Sequence, residues 1–251
     1  MNARHTIKSL IKIVFLILLN VQFYKAKAQK SAAEYKDLGI KNYKEKEYTK
    51  AIEAFTKTIE MDSTKGKTDA LIYRGIAHDA MNNFGLAVAD FNMAQSIDSN
   101  DVFLYVERAK TFYNMRNHEP AIKDFLKVTE LNPNSKDAEE AWRFLGKIKQ
   151  ADKDYKTAVN YYTRVLRFVA KDYELIYKRG ECKFFLNDYK GAIKDFDLCL
   201  EINKEYQYAL ALRGESKLKI DDKEGACKDL NMAYKLGVKD ILGLINENCK
   251  K

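Results

Sequence analysis

Beyond residue 28 the chain holds two histidines, His78 and His118, and no second histidine stands at metal-ligand spacing from either. Gly66-Lys67-Thr68 echoes the end of a phosphate-binding loop. Met61 occupies the place where that loop needs its first glycine, and the stretch reads as a connector rather than a strand-to-helix turn. Gly214-Glu215-Ser216 lacks the flanking glycine and the sheet context of a nucleophile elbow. Four cysteines, Cys182, Cys199, Cys227 and Cys249, sit in the C-terminal third without a C-x-x-C pair, which leaves zinc and dithiol redox chemistry unsupported. Carboxylates are plentiful but fall on solvated helix positions and connectors. None of these groups forms a catalytic, metal or cofactor site, so the expectation is a chain that binds rather than catalyses.

The elements that must position any binding residue are helices. The 251 residues are 46% hydrophobic and 32% charged, and only 2 prolines and 11 glycines interrupt them, too few for the frequent turns of a β-sandwich or barrel. The formal charge of +8 is unevenly spread. Residues 1–28 carry five cations (Arg4, Lys8, Lys12, Lys25, Lys27) and no carboxylate, and the remaining 223 residues hold 39 Lys+Arg against 36 Asp+Glu, a net +3. A body so near neutrality argues against a nucleic-acid partner.

The first 28 residues form a segment of their own. A cationic start precedes an apolar run from Ile13 to Leu19, continuing more weakly through Val21 and Phe23, and Ala26-Lys27-Ala28 gives the small-x-small pattern of a signal-peptidase site. The run covers about a dozen residues, against the roughly 20 of a membrane-spanning helix. The pattern predicts a signal peptide over 1–28, cleaved to leave Gln29 first, and an exported body with no stable membrane insertion, in the periplasm or outside the cell. The alternative is an uncleaved N-terminal anchor. In an oxidising compartment the cysteines are able to pair.

The body repeats. A small residue followed twelve positions later by alanine recurs six times, as Gly39/Ala51, Gly75/Ala87, Ala109/Ala121, Gly146/Ala158, Gly180/Ala192 and Gly214/Ala226, with first members 36, 34, 37, 34 and 34 apart. Four residues after each alanine stand Phe55, Phe91, Phe125, Tyr162, Phe196 and Leu230, and three before it Tyr48, Phe84, His118, Tyr155, Tyr189 and Lys223. Four before each small residue stand Tyr35, Leu71, Tyr105, Trp142, Ile176 and Leu210. Most of the 16 Tyr and 13 Phe fall in this frame, which assigns them to packing rather than to a base-stacking surface.

Each unit contains two amphipathic stretches split by a short polar turn such as Asn82-Asn83, Asn187-Asp188 or Asp221-Asp222, whose side chains can cap the second helix. So short a turn makes the two helices antiparallel. The small residue of the first is then expected to meet the alanine of the second where they cross. Pro120 falls in the opening turn of a second helix and Pro133 in a connector. The longer spacings of 36 and 37 point to extra connector residues around Thr64–Lys67 and Ser135–Ala138. After the sixth unit, Gly237 reads as a helix C-cap and 240–249 as a final helix whose apolar residues Ile241, Leu242, Leu244 and Ile245 cover the last hairpin.

This pattern resembles the tetratricopeptide (TPR) consensus W-x2-L-G-x2-Y…A-x3-F…P. The resemblance implies an all-α fold, a single α-solenoid domain over 29–251 of six antiparallel helix hairpins (approximately 32–65, 68–101, 102–135, 139–172, 173–206 and 207–240) with a C-terminal capping helix. It also implies a concave wall built by the first helices, at positions three before, one after and four after each small residue. The candidate peptide-binding groove is therefore Lys36, Ile40, Tyr43, Ile72, Ile76, Val106, Lys110, Tyr113, Arg143, Lys147, Tyr177 and Phe184. Asp79, Gln150, Glu181, Ala211, Glu215 and Leu218 complete the set. The wall reads as apolar in the first three repeats, basic in the fourth, and mixed to acidic in the last two. Some TPR proteins clamp a peptide's terminal carboxylate; here Lys36 matches one clamp position, whereas Ile40, Tyr73, Phe103 and Glu107 depart from it.

Cys182 and Cys199 fall at distant levels of one hairpin. Cys227 and Cys249 can meet where the capping helix runs back, and form the candidate disulfide. The expected function is a scaffold binding a protein or peptide partner along the concave face. The alternative is a structural or assembly subunit of a cell-envelope or secretion complex, using convex and edge surfaces.

Overall fold

The structure, a computed structural model, describes residues 30–63 and 65–249. The expected signal segment lies outside the described residues. Among these there are thirteen helices and no strand: α1 (Ala32–Lys44), α2 (Tyr48–Met61), α3 (Lys65–Ala80), α4 (Phe84–Ile97), α5 (Val102–Asn114), α6 (His118–Leu131), α7 (Lys136–Ala151), α8 (Tyr155–Val165), α9 (Tyr173–Phe185), α10 (Tyr189–Ile202), α11 (Gln207–Leu218), α12 (Lys223–Lys235) and α13 (Leu242–Asn248). They follow one another as six helix hairpins and a final short helix, an all-α solenoid of repeats. The chain falls into two compact units, Met1–Thr111 and Phe112–Lys251, divided inside α5. Hairpins that contact chiefly their neighbours supply no central core to draw a stack into one body.

The hairpin turns obey one rule. A residue with positive φ (Lys46, Asn82, Arg116, Lys153, Asn187, Asp221; φ 57–65°) precedes each second helix. The next residue's N–H donates to the carbonyl five positions back, as from Glu47 to Asn42 (2.8 Å) and from Asp154 to Lys149 (2.8 Å). This is a Schellman close of the first helix running directly into the N-cap of the second. Asp154, Asp188 and Asp222 cap through their side chains, accepting from Thr157, Gly191 and Gly225 N–H. Asn83 makes no such bond, contrary to the expectation from Asn82-Asn83.

The long repeat spacings do not lengthen connectors. They lengthen first helices: α3 and α7 have 16 residues, against 12 or 13 in α1, α5, α9 and α11. Ser135 caps α7 by accepting from Ala138 N–H, and Thr68, Ala70, Ala138 and Ala141 are buried, so the added turn is held by packing.

The glycines also do more than face an alanine. A methyl group at Gly39 would lie 2.5 Å from the Phe55 ring, at Gly75 2.9 Å from Phe91, at Gly146 2.5 Å from Tyr162, at Gly180 2.8 Å from Phe196, and at Gly214 2.7 Å from Leu230. The nearest partner of each glycine is thus the large residue four after the alanine, which seats on the glycine beside the expected small-on-small crossing. At Gly75 and Gly214 the second helix's backbone also comes close, with Ala87 O and Ala226 O 3.2 Å from such a methyl group.

A second contact recurs beside it. Arg74 donates through Nε and Nη2 to both carboxylate oxygens of buried Asp90 (2.9 and 2.7 Å); Arg179 does the same to Asp195 (2.9 and 2.6 Å) and Arg213 to Asp229 (2.8 and 2.6 Å). The third nitrogen reaches the preceding hairpin, from Arg74 to Thr56 (3.0 Å) and from Arg213 to Asp197 (2.7 Å). Arg108 likewise donates back to Asn92 (2.6 Å) and Gln95 (2.7 Å) on α4. The first and fourth repeats lack both partners and carry Leu38/Ala54 and Leu145/Tyr161 at the same positions.

At the C-terminus, Gly237 (φ 114°) closes α12, with Val238 N–H on Ala233 O (3.1 Å) and its own N–H on Tyr234 O (3.2 Å). The last helix starts at Leu242 rather than at 240. Ile241 is its N-cap and the buried member of the expected face, Leu244 and Ile245 are half-buried, and Leu242 points outward. Seven residues are too few to hold a helix alone. The structure joins Cys227 and Cys249 in a disulfide, Cα atoms 5.5 Å apart, while Cys182 and Cys199 are buried free thiols.

Two outcomes follow. Arg74→Leu strands the buried Asp90 carboxylate and is expected to lower unfolding stability by about 3–5 kcal/mol, whereas Arg74→Leu/Asp90→Ala, the arrangement of the first repeat, recovers most of it; urea denaturation measures both. Burial raises the Cys182 and Cys199 thiols to about 12. Native alkylation is therefore expected to spare all four cysteines, and mapping after unfolding without reductant to recover Cys182 and Cys199 modified and Cys227 linked to Cys249.

Candidate partner-binding surface

Positions three residues before each small residue do not line an open wall. Ile72, Val106, Tyr177 and Ala211 are buried, at 1, 3, 7 and 6% exposure. Three members of this row reach the next first helix or its cap. Lys36 Nζ donates to Asp69 on α3 (3.0 Å), Arg143 to Asp172 at the cap of α9 (2.8 Å), and the Tyr177 ring meets Tyr206 ahead of α11 edge-on at 5.2 Å. The positions one and four after the small residue stay accessible. In the first unit these are Ile40, Tyr43, Ile76, Asp79 and Lys110, all half-buried. In the second they are half-buried Tyr113, Gln150, Glu181, Phe184, Glu215 and Leu218 and exposed Lys147. Of the twelve candidate groove residues, Ile72, Val106 and Tyr177 thus leave the surface.

The charges also differ from expectation. Lys36 is held by Asp69; Lys110 donates to Glu107 (3.1 Å); Arg143 is shared between Glu139 (2.9 Å) and Asp172. Lys147 lies over the Phe144 ring at 5.3 Å and, among the described residues, has no carboxylate partner. The basic patch expected in the fourth repeat is reduced to that one ammonium, because a carboxylate one helical turn away or at the next helix start neutralises each other cation.

In the second unit these positions border a cleft of about 530 Å³ lined by Lys147, Gln150, Tyr162, Leu175, Lys178 and Tyr206, among others. Three of its lining residues, Gln150, Tyr162 and Lys178, join a hydrogen-bond network with Tyr177 and Glu181. Tyr162 donates to Gln150 Oε1 (2.7 Å), Gln150 Nε2 to Glu181 Oε2, Tyr177 to Glu181 Oε1 (3.0 Å), and Lys178 to Glu181 (2.9 Å). Burial pushes the Tyr162 and Tyr177 phenols well up and Tyr206 to about 12, so all three remain neutral donors. In the first unit burial also raises Tyr43, with Tyr48, Glu107 and Asp79 adding to the shift. Such a surface can hydrogen-bond a peptide backbone and cover apolar side chains. It offers no activated nucleophile, and no group of three or more metal-ligating residues occurs among the described residues. Nor, among them, is any helix long and apolar enough to cross a membrane.

Sequence reasoning missed the Gln150–Glu181–Tyr177 network and the Arg–Asp contacts. The second had a visible signal, since Arg before the small residue and Asp three after the alanine occur together in four repeats and are absent together in two.

The Tetratricopeptide repeat model matches residues 104–135 and 173–206, the third and fifth hairpins. RNA polymerase II-associated protein 3 of Rattus norvegicus is 32% identical over 116 residues, 46% of this chain and 17% of that protein. DnaJ homolog subfamily C member 7 of Homo sapiens is 30% identical over 95 residues, 37% of this chain and 19% of that protein. The matched part of the chain thus spans less than a fifth of the length of these curated relatives. Among solved structures, YrrB, described as a TPR protein with an unusual peptide-binding site, superposes with a TM-score of 0.67 at 20% identity, covering 78% of this chain and 98% of that one. Hairpins turned, packed and spaced in this way, with those matches, give the chain the fold of a tetratricopeptide-repeat solenoid.

Proposed function

We propose that this protein is a non-catalytic scaffold that captures an extended or helical segment of a partner protein along the concave first-helix face implied by the repeat. The observation that carries the reading is the split among first-helix positions. One row is buried or paired between repeats, and two rows stay accessible in both units, apolar or aromatic at Ile40, Tyr43, Ile76, Tyr113, Phe184 and Leu218 and polar at the other six positions. The partner's chemistry follows from the charges: an apolar segment whose backbone meets the Tyr–Gln–Glu network, with at most one acidic contact, at Lys147. The fold likeness to YrrB is consistent with this. We place the protein in the periplasm or outside the cell, after cleavage at Ala28, where a Cys227–Cys249 bond is maintained.

A second reading has a specific support. Leu86, Met93 and Ile97 on α4 and Leu198 and Ile202 on α10 are exposed apolar residues of second helices, suited to a subunit of an envelope or secretion assembly. Photocrosslinking residues at Ile40, Tyr113 and Phe184, compared with Met93 and Leu198, separate the two. Partner adducts from the first-helix set are expected, and Tyr43→Ala/Ile76→Ala or Tyr113→Ala should weaken capture about tenfold or more. Adducts from the second-helix set alone, with capture unchanged in those variants, would sink the groove reading.

A further inference from the structure

The fourth repeat departs from its neighbours in two ways that meet at one place. It lacks the Arg–Asp contact, carrying Leu145 and Tyr161 instead; Tyr161 stacks on Trp142 at 5.3 Å, and the Arg164 guanidinium lies over the Trp142 ring at 4.6 Å. Its second helix is also short. α8 has 11 residues where the other second helices have 13 or 14, so Arg167 and Phe168 leave the helix in the turns that follow, with Phe168 N–H on Val165 O at 2.9 Å. A cleft of about 350 Å³ opens there, lined by Asn134, Trp142, Arg164, Arg167 and Phe168 among others, none of them a groove position.

Both arginines are exposed, and neither has a carboxylate within salt-bridge distance among the described residues, unlike Arg74, Arg179 and Arg213. Standing three residues apart at the helix end, they share one side of it. We propose that this cleft binds a tetrahedral oxyanion, a phosphate or sulfate group, between the Arg164 and Arg167 guanidiniums. A carboxylate's two coplanar oxygens are satisfied by a single guanidinium fork. Phosphate and sulfate carry more charge and present oxygens in several directions, which suits two forks with the Asn134 amide as a further donor. Stacking on Trp142 fixes the plane of one fork in advance.

Trp142 is the only tryptophan in the sequence, so its fluorescence reports on the cleft directly. The full-length chain is titrated with inorganic phosphate, sulfate and acetate at constant ionic strength, with calorimetry as a second readout. Phosphate or sulfate is expected to saturate the signal, with acetate at least tenfold weaker. Arg164→Gln/Arg167→Gln, and Arg167→Gln alone, which leaves the ring contact intact, should each weaken binding at least tenfold; Lys171→Gln should not. Circular dichroism melts check that the variants fold. Sedimentation with phosphatidic acid vesicles but not phosphatidylcholine vesicles, lost in the double variant, assigns the group to a lipid headgroup; phosphate binding without sedimentation assigns it to a soluble ester. No saturable response in any arm, equal response to acetate, or binding indifferent to both arginines would overturn the proposal.

Discussion

In five hairpins a large side chain stands where a glycine leaves no Cβ: Phe55 on Gly39, Phe91 on Gly75, Tyr162 on Gly146, Phe196 on Gly180 and Leu230 on Gly214. Four of the five are rings. The contact fixes both the separation and the rotation of the paired helices, because a side chain seated on bare backbone can neither slide nor turn without colliding with it. Once the rotation is fixed, every other position of the first helix acquires a direction. The residue before the glycine points at the second helix, where Arg meets Asp; the residue three before points at the next repeat and is buried or paired; the residues one and four after are left to solvent. The candidate surface is what remains after these packing demands are met.

Much of this was legible in the sequence. The glycine–alanine frame identified the helices, their antiparallel pairing and the number of units. What it left out was the large side chain that fills the glycine's space, because a pattern of small residues shows room without showing everything that occupies it. Ile72, Val106 and Tyr177 read as wall residues because they share a helical stripe with the open positions; only the neighbouring repeat decides that their row is shut. Arg143 read as part of a basic patch because its carboxylates stand one turn back on the same helix, at Glu139, and some thirty residues on, at Asp172; Lys36 and Lys110 are paired in the same two ways. The extra residues in the first turns of α3 and α7 read as connector because the frame starts at the small residue and says nothing of how far upstream the helix begins.

The pairing of those cations shapes how a partner is met. A surface whose charges are neutralised from within exerts little long-range pull, so recognition there depends on contact, hydrogen bonding and desolvation, with weak sensitivity to salt. The fourth repeat is the exception on both sides of its hairpin. Among the described residues, Lys147 at the groove positions and Arg164 and Arg167 at a separate cleft have no carboxylate within salt-bridge distance.

The covalent closure at the C-terminus has a consequence for the order in which the molecule comes apart. In a row of modules coupled only to their neighbours, opening starts at an end, where one interface instead of two must be lost. Cys227 and Cys249 clip the last helix to the hairpin before it, and α1 and α2 have no equivalent clip among the described residues. The link therefore opposes opening at the C-terminal end of the described helices, where seven residues of helix seated on a single hairpin would otherwise fray early and offer a protease its foothold.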